Sequence, residues 1–308
     1  MSIAMTEKQE RDFETNGFII LEHFFTSDEL DRLLSAVDEV GTKVRRAKGL
    51  GPDDPFAIRN ALAHHDAFLD LIDHPRMLPL VVDAIGWNIQ IRTTHLDYRP
   101  PYPSHLQAGD LGSGKGADHQ AGYRNVVWHP DLADDHLFEA PSLDGRLPFM
   151  EVKAFYVLSD LNESNSGNLW MVPGSHKRKP QELRDMNYKV DPGDAVELKL
   201  PPGAAVLWRT ATWHCVGPNL SDKTRKIMHV GYHYRWLRPT DYVQQDPDLI
   251  AGSSPIRRQL LGALATDNNP LGDDPEFHPS SQHWLTQNQD DIPLMAWVKE
   301  DAPSNINL

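Results

Sequence analysis

Residues 88–99, NIQIRTTHLDYR, change the period of the chain. Upstream of them apolar residues recur at helical spacing; here β-branched and aromatic residues crowd a short segment, the composition of a strand. The same composition returns in NVVWH (125–129), MEVKAFYVLSD (150–160), GNLWMV (167–172), AVELKL (195–200), AAVLWR (204–209) and KIMHVGYHYRW (226–236). Turn clusters separate these segments: NESNSGN, DPGD, LPPG and GPNLSD. Many short strands with no helices between them predict a mainly β fold, a sandwich or jelly roll.

The N-terminal part reads as helical support for that sheet. TEKQERDFETNG (6–17) is a short helix stopped by Gly17, and FIILEHFF (18–25) a strand. In FFTSDELDRLLSAVDEVG (24–41), Thr26 and Glu29 have the spacing of a capping box. Leu30, Leu33, Leu34, Val37 and Val40 follow at helical spacing, and Gly41 is expected to close the helix. HHDAFLDLID (64–73) and HPRMLPLVVDAIG (74–86) predict two more helices. The Gly-rich stretch 100–125 contains GSGKG but no G-x-x-x-x-G-K-[ST], so it is read as a possible lid and not as a phosphate loop. After residue 236 the chain turns polar and Pro-rich, with one short helix expected at SPIRRQLLGALA (254–265). With no repeat and no linker, residues 1–308 are read as one domain: helical support over 1–87, a β core over 88–236 and an extension over 237–308.

Composition narrows the function. A net charge of −14 argues against nucleic-acid and anionic-membrane partners, which select basic patches. The single Cys215 excludes a disulfide framework and fits a reducing compartment. No run approaches the roughly 18 apolar residues of a membrane span, and the first residues lack the pattern of a signal peptide. The expectation is a cytoplasmic protein with a small-molecule substrate, a monomer or a weak homo-oligomer.

Three H-x-D pairs stand out: His64/Asp66, His95/Asp97 and His129/Asp131. With 15 histidines and 44 acidic residues in 308 positions, about two H-x-[D/E] pairs arise by chance, so context must choose. His64 and Asp66 lie in helical surroundings, where two positions turn about 200° around the axis and cannot chelate together. His95 and Asp97 share one strand face and remain a rival. His129 and Asp131 flank Pro130 where a strand runs into a turn, which converges an imidazole and a carboxylate on one point.

Downstream, in AAVLWRTATWHCVGPNLSDKTRKIMHVGYHYRW (204–236), a strand ends near Arg209, His214 precedes a Gly-Pro-Asn turn and Arg225 opens the next strand. Two histidines and one carboxylate on one side of a metal leave open positions, the arrangement of non-haem Fe(II) oxygenases. An arginine nearby can grip the far carboxylate of 2-oxoglutarate through two parallel N–H···O bonds, which a lysine cannot do.

His129-Pro130-Asp131, His214 and Arg225 eleven residues later resemble the phytanoyl-CoA dioxygenase family of Fe(II)/2-oxoglutarate oxygenases. LSDLNESNSGNLWMVPGSHKR (158–178) and FETNGFIILEHFFTSDELDRL (13–33) are similar to two further family segments, so the resemblance spans residues of about 10 to 240. It implies a double-stranded β-helix (a jelly roll, cupin-like) with the N-terminal helices packed on one sheet. It also implies iron held by His129, Asp131 and His214, 2-oxoglutarate held by Arg225, and O₂ as the oxidant. The strand 90–98 corresponds to one that lends polar residues to 2-oxoglutarate, which makes Thr93 and His95 cosubstrate candidates. Val216 stands where some members carry a hydroxyl residue. Asp131 excludes the related halogenases, which need a small residue there to admit halide. The implied activity is hydroxylation or another oxidation of an unactivated C–H bond in a small organic molecule, with 2-oxoglutarate converted to succinate and CO₂.

Other residues carry weaker signals. Trp128 and Arg235 are candidate substrate contacts, as are Arg92, Arg124 and Arg146; His176 and Cys215 read as packing residues. If Arg225 points inward, His229 and His233 share its face unless a bulge intervenes. Two rival functions remain: a non-catalytic jelly roll that only binds a metabolite, which oxygen uptake would separate, and a metal-dependent hydrolase, for which no general base is evident.

Overall fold

The computed structural model describes residues 4–102, 128–131, 147–186, 191–263 and 292–300. The 100–125 lid candidate therefore falls, apart from its first residues, outside the described residues, as do Arg124, Arg146 and most of NVVWH. Among the described residues no helix is long and apolar enough to cross a membrane.

Helix α1 (Glu7–Asn16) ends where Gly17 takes φ +88°, and β1 follows as Phe18–Leu21, shorter than the apolar run predicts. Helix α2 (Ser27–Lys48) opens with the expected capping box: Thr26 Oγ1 accepts from the Glu29 amide, and Glu29 Oε2 accepts from the Thr26 amide at 2.8 Å. It does not stop at Gly41. That glycine lies on the buried face, where a Cβ would press on the ring of Phe56, and the helix runs on to Gly49 at φ +66°. Arg45, Arg46 and Lys48 then place positive charge against the helix C-terminus. HHDAFLDLID yields only one turn, α3 (Asp66–Leu69), whereas the next segment gives α4 (Leu78–Ile85).

The strands form two antiparallel sheets. With β2 (Phe56–Arg59), β3 (Ile89–Arg99), β4 (Glu151–Val157), β7 (Ala205–Arg209) and β9 (Arg225–Tyr234), the larger sheet has the order β1-β7-β4-β9-β3-β2. The smaller joins β6 (Val196–Leu198), β5 (Leu169–Met171) and β8 (His214–Val216). Strands β2 and β8 are absent from the sequence reading, being four and three residues long. Beyond β9 the chain forms α5 (Pro247–Ala251), α6 (Pro255–Leu260) and α7 (Pro293–Glu300), the second as expected.

Period-2 alternation on β4 decides what faces where. Val152, Ala154 and Tyr156 point to the helices, joining Leu33, Val37, Val40 and Leu80 in the larger apolar core. Phe155 and Val157 point to the smaller sheet, packing with Trp208, Leu169, Met171 and Ile227. Glu151 and Lys153 share that inner face and are also buried. The space between the sheets is thus apolar at one end and charged at the other, and the charged end holds the site.

Candidate metal centre

His129 and His214 form an isolated antiparallel bridge, each amide donating to the other's carbonyl at 3.0 Å. The Asp131 amide donates to the Thr210 carbonyl at 2.8 Å, so the H-P-D segment is tied to the β7–β8 turn on both sides of Pro130. This backbone pairing brings the two imidazoles to 4.5 Å between centroids. One ligand atom from each of His129, Asp131 and His214 lies within 4.8 Å of the others, the metal-competent cluster found among the described residues.

Protonation suits a cation. The carbonyl of Thr212 can only accept, so His214 Nδ1 carries the proton it donates there at 2.8 Å, and Nε2 keeps its lone pair. That Nε2 faces Asp131 Oδ2 at 3.7 Å. Burial, reinforced by His129, pushes His214 down to about 4, so the ring is a neutral ligand at neutral pH. Burial alone would raise Asp131, but Lys153, His214 and His129 outweigh it and hold the carboxyl well below the usual range. Lys153 Nζ sits 2.5 Å from Asp131 Oδ2 and over the ring of Trp208 at 5.7 Å. Two imidazoles and one ionised carboxylate fit a borderline divalent cation such as ferrous iron.

The rival pair separates. His95 and Asp97 do share the inner face of β3, yet Asp97 is bound by Arg99 Nε at 2.7 Å and by Arg225 Nη1. Burial opposes its ionisation, but Arg99 and then Arg225 hold its carboxyl far below the ordinary value. Arg225 is fully buried and runs across Gly167, whose φ of +78° and missing Cβ admit its aliphatic stem. One carboxylate is thus shared by two guanidiniums.

The remaining sequence candidates have varied surroundings, and His95 stays beside the His229 and Asp97 side chains. Thr93 faces inward, but its hydroxyl donates to Asp241 at 2.9–3.0 Å, which gives it a structural partner from the C-terminal extension. His95 stacks on His229 at 5.4 Å. Trp128 offers no open face to a substrate: it is fully buried with Trp213, Val172, Leu183 and Cys215, and its Nε1 donates to Asp191 at 2.9 Å. Arg235 follows β9 and is buried, which lowers it to about 10. His176 Nε2 lies 3.2 Å from the Glu14 carbonyl, a packing role.

Sequence reasoning missed Lys153 and Glu151, and it offered Arg92 as a substrate contact, whereas its guanidinium is engaged by Glu151. A register shift between Ile91 and Thr93 marks a bulge at Arg92, whose Nη1 reaches both Glu151 oxygens at 3.1 and 2.9 Å. The available signal was the charge alternation of E-V-K at the head of a strand otherwise apolar on both faces.

These buried groups make acid sensitivity predictable. Burial lowers His233 to about 3 and His229 well below its ordinary value, so the folded protein keeps them neutral while the unfolded chain takes up protons from about pH 6.5 downward. Glu151, raised to about 7 mainly by burial, works in the opposite direction, but it is one group against several. The urea midpoint of the metal-free protein should fall between pH 7 and pH 5; a constant or rising midpoint would contradict this assignment.

Residues 13–227 match the phytanoyl-CoA dioxygenase (PhyH) family. A probable alpha-ketoglutarate-dependent hypophosphite dioxygenase of Stutzerimonas stutzeri is 22% identical over 316 residues, covering 92% of this chain and 99% of that protein. An ectoine dioxygenase of Bordetella bronchiseptica is 23% identical over 80% of this chain and 82% of its own length. Among solved structures, HygX from Streptomyces hygroscopicus with iron bound shares the fold at a TM-score of 0.57 and 19% identity, over 80% of this chain and 94% of that one. EctD from S. alaskensis with 2-oxoglutarate and 5-hydroxyectoine does so at 0.54 and 20%, over 78% and 79%. With more than two thirds of its length in the match, this chain belongs to the phytanoyl-CoA dioxygenase family.

Proposed function

We propose that the chain is an Fe(II)/2-oxoglutarate-dependent dioxygenase that oxidises a C–H bond of a small organic molecule. In this reading His129, Asp131 and His214 hold the ferrous ion, and Arg225 holds the far carboxylate of 2-oxoglutarate. The two sheets are the halves of a double-stranded β-helix, and residues 1–308 act as one domain. The observation that carries the reading is the cluster itself: three ligand atoms within 4.8 Å, with the imidazole of His214 held neutral and correctly oriented.

When bound, iron with 2-oxoglutarate and O₂ supplies the oxidising chemistry, in which the keto acid becomes succinate and CO₂. The protein's part is to bind, orient and exclude water. Thr212 fixes the ring of His214 and leaves Nε2 with the lone pair that would hold the ion. Asp97 and Gly167 hold Arg225 in place, Asp97 by an ion pair and Gly167 by leaving room for the stem. Arg99 also pairs with Asp97 and so helps to fix the carboxylate that positions Arg225. Phe155, Trp208 and Ile227 wall the inner face with apolar surface. Trp208 lies 5.5 Å from the ring of His214, which keeps bulk water from that side of the ligand.

Anaerobic protein supplied with Fe(II) and 2-oxoglutarate, then exposed to O₂, should produce succinate slowly without substrate and faster with the correct one. No oxygen uptake under these conditions would favour a purely binding role. Activity with Zn(II) in place of Fe(II) would point to hydrolysis.

A further inference from the structure

Among the described residues Lys153 is a cation in direct contact with a proposed metal ligand, Asp131. Asp131 Oδ2 accepts from Lys153 Nζ at 2.5 Å and is also the oxygen that faces His214 Nε2 at 3.7 Å. An ion shared by Asp131 and His214 therefore draws on the same oxygen as the ammonium. A divalent charge there withdraws electron density from the carboxylate and repels the ammonium, so the Lys153–Asp131 pair weakens as the metal site fills.

Lys153 then needs another anion. Its side chain is 11% exposed, and a buried charge without a partner is strongly disfavoured. Among the described residues, the other carboxylate on the inner face of β4 is Glu151, which Lys153 already stabilises electrostatically while Arg92 engages both of its oxygens. Asp97 lies on β3 and is shared by Arg99 and Arg225. The surrounding groups suit a small polar guest. His229, on β9 next to Phe155, has a neutral imidazole whose Nδ1 is buried and makes no hydrogen bond among the described residues. The ring of Trp208 lies beneath both residues, 5.7 Å from the ammonium and 6.1 Å from the ring of His229.

Building on the iron-site reading above, we propose that Lys153 is a substrate-binding residue. It exchanges Asp131 for an anionic group of the substrate, a carboxylate or a phosphorus oxyanion, when the metal site fills. Substrate affinity is then linked to metal occupancy, and by reciprocity the anion raises metal affinity.

The test is calorimetric titration of wild-type and Lys153→Met protein, both loaded with Ni(II) and 2-oxoglutarate, with acetate, hypophosphite and methylphosphonate. Methionine keeps the apolar stem and removes the charge. At least one of these anions should bind the wild type and bind Lys153→Met at least tenfold more weakly. Affinity for 2-oxoglutarate should change less than threefold, and Ni(II) affinity should not fall. Equal binding by both proteins, or binding of none of the three to the wild type, overturns the proposal. A tenfold loss of 2-oxoglutarate affinity also overturns it, because the ammonium would then serve the cosubstrate's own carboxylate. A fall in Ni(II) affinity does so too, by making Lys153 a positioning residue for Asp131. Should Lys153→Met not fold, Ni(II) titrations of the wild type decide: the anion that binds must tighten Ni(II) binding, and no effect counts against the proposal. Wild-type protein that binds neither Ni(II) nor 2-oxoglutarate would instead sink the iron-site reading, a distinct outcome.

Discussion

Asp131→Ala and His214→Ala should each abolish 2-oxoglutarate turnover and leave the purified protein nearly free of iron. Removing a residue that merely orients a ligand costs roughly 10–100-fold in metal affinity, so removing a ligand should cost more than about 100-fold. The two variants should differ in stability. His214→Ala leaves Asp131 paired with Lys153 and removes an imidazole that burial already keeps neutral. Asp131→Ala leaves the Lys153 ammonium with its stem buried and no carboxylate opposite it, a loss expected to reach about 3 kcal/mol for a broken buried pair. Metal analysis, succinate formation and urea denaturation on the same preparations check all three points. Asp131→Ala with near-normal iron content would remove Asp131 from the ligand set.

Arg225→Ala should raise the 2-oxoglutarate concentration needed for half-maximal activity by roughly 10–150-fold, the worth of about 1.5–3 kcal/mol for hydrogen bonds to a charged group. Its effect on kcat at saturating cosubstrate should be smaller, because in the proposed reading the guanidinium would hold the carboxylate remote from the metal. Gly167→Ala tests the same point without touching the arginine. The new Cβ would overlap Arg225 Cδ, and φ of +78° suits only glycine without strain, so the stem must move. Gly167→Ala should therefore mimic Arg225→Ala in direction, whereas Gly49→Ala, at φ +66° with nothing near its Cβ, should lower stability and leave 2-oxoglutarate binding unchanged. Initial rates against 2-oxoglutarate concentration separate these outcomes.

Much of the His129–Asp131–His214 cluster is legible in the sequence because its members sit beside short strands, where local spacing already dictates direction. His129 and Asp131 two residues apart, and Arg225 at the head of β9, are of this kind. The inward direction of Arg225 also carries His229 to the same face, as strand alternation requires. What the sequence hides depends on long-range packing. Gly41 reads as a helix stop because nothing local reveals that Phe56 packs against it. Strand β2 is too short to carry a pattern of its own and exists through its pairing with β3. The bulge at Arg92 is a property of the β3–β9 register, and with it the Arg92–Glu151 pair escapes a reading by alternation. Trp128 looks like a substrate wall from its place beside His129, but the next residue on a strand points to the other side, here into the Trp213 cluster. Thr93 is on the expected face, and only the fold reveals that Asp241, far along the chain, takes its hydroxyl.

The most direct measurement is a crystal structure from protein grown anaerobically with Fe(II) and 2-oxoglutarate, with the metal located by anomalous scattering. One iron peak bound by His129, Asp131 and His214 is expected, with the distal carboxylate of the keto acid on Arg225. An iron peak elsewhere, or a keto acid turned away from Arg225, would contradict it.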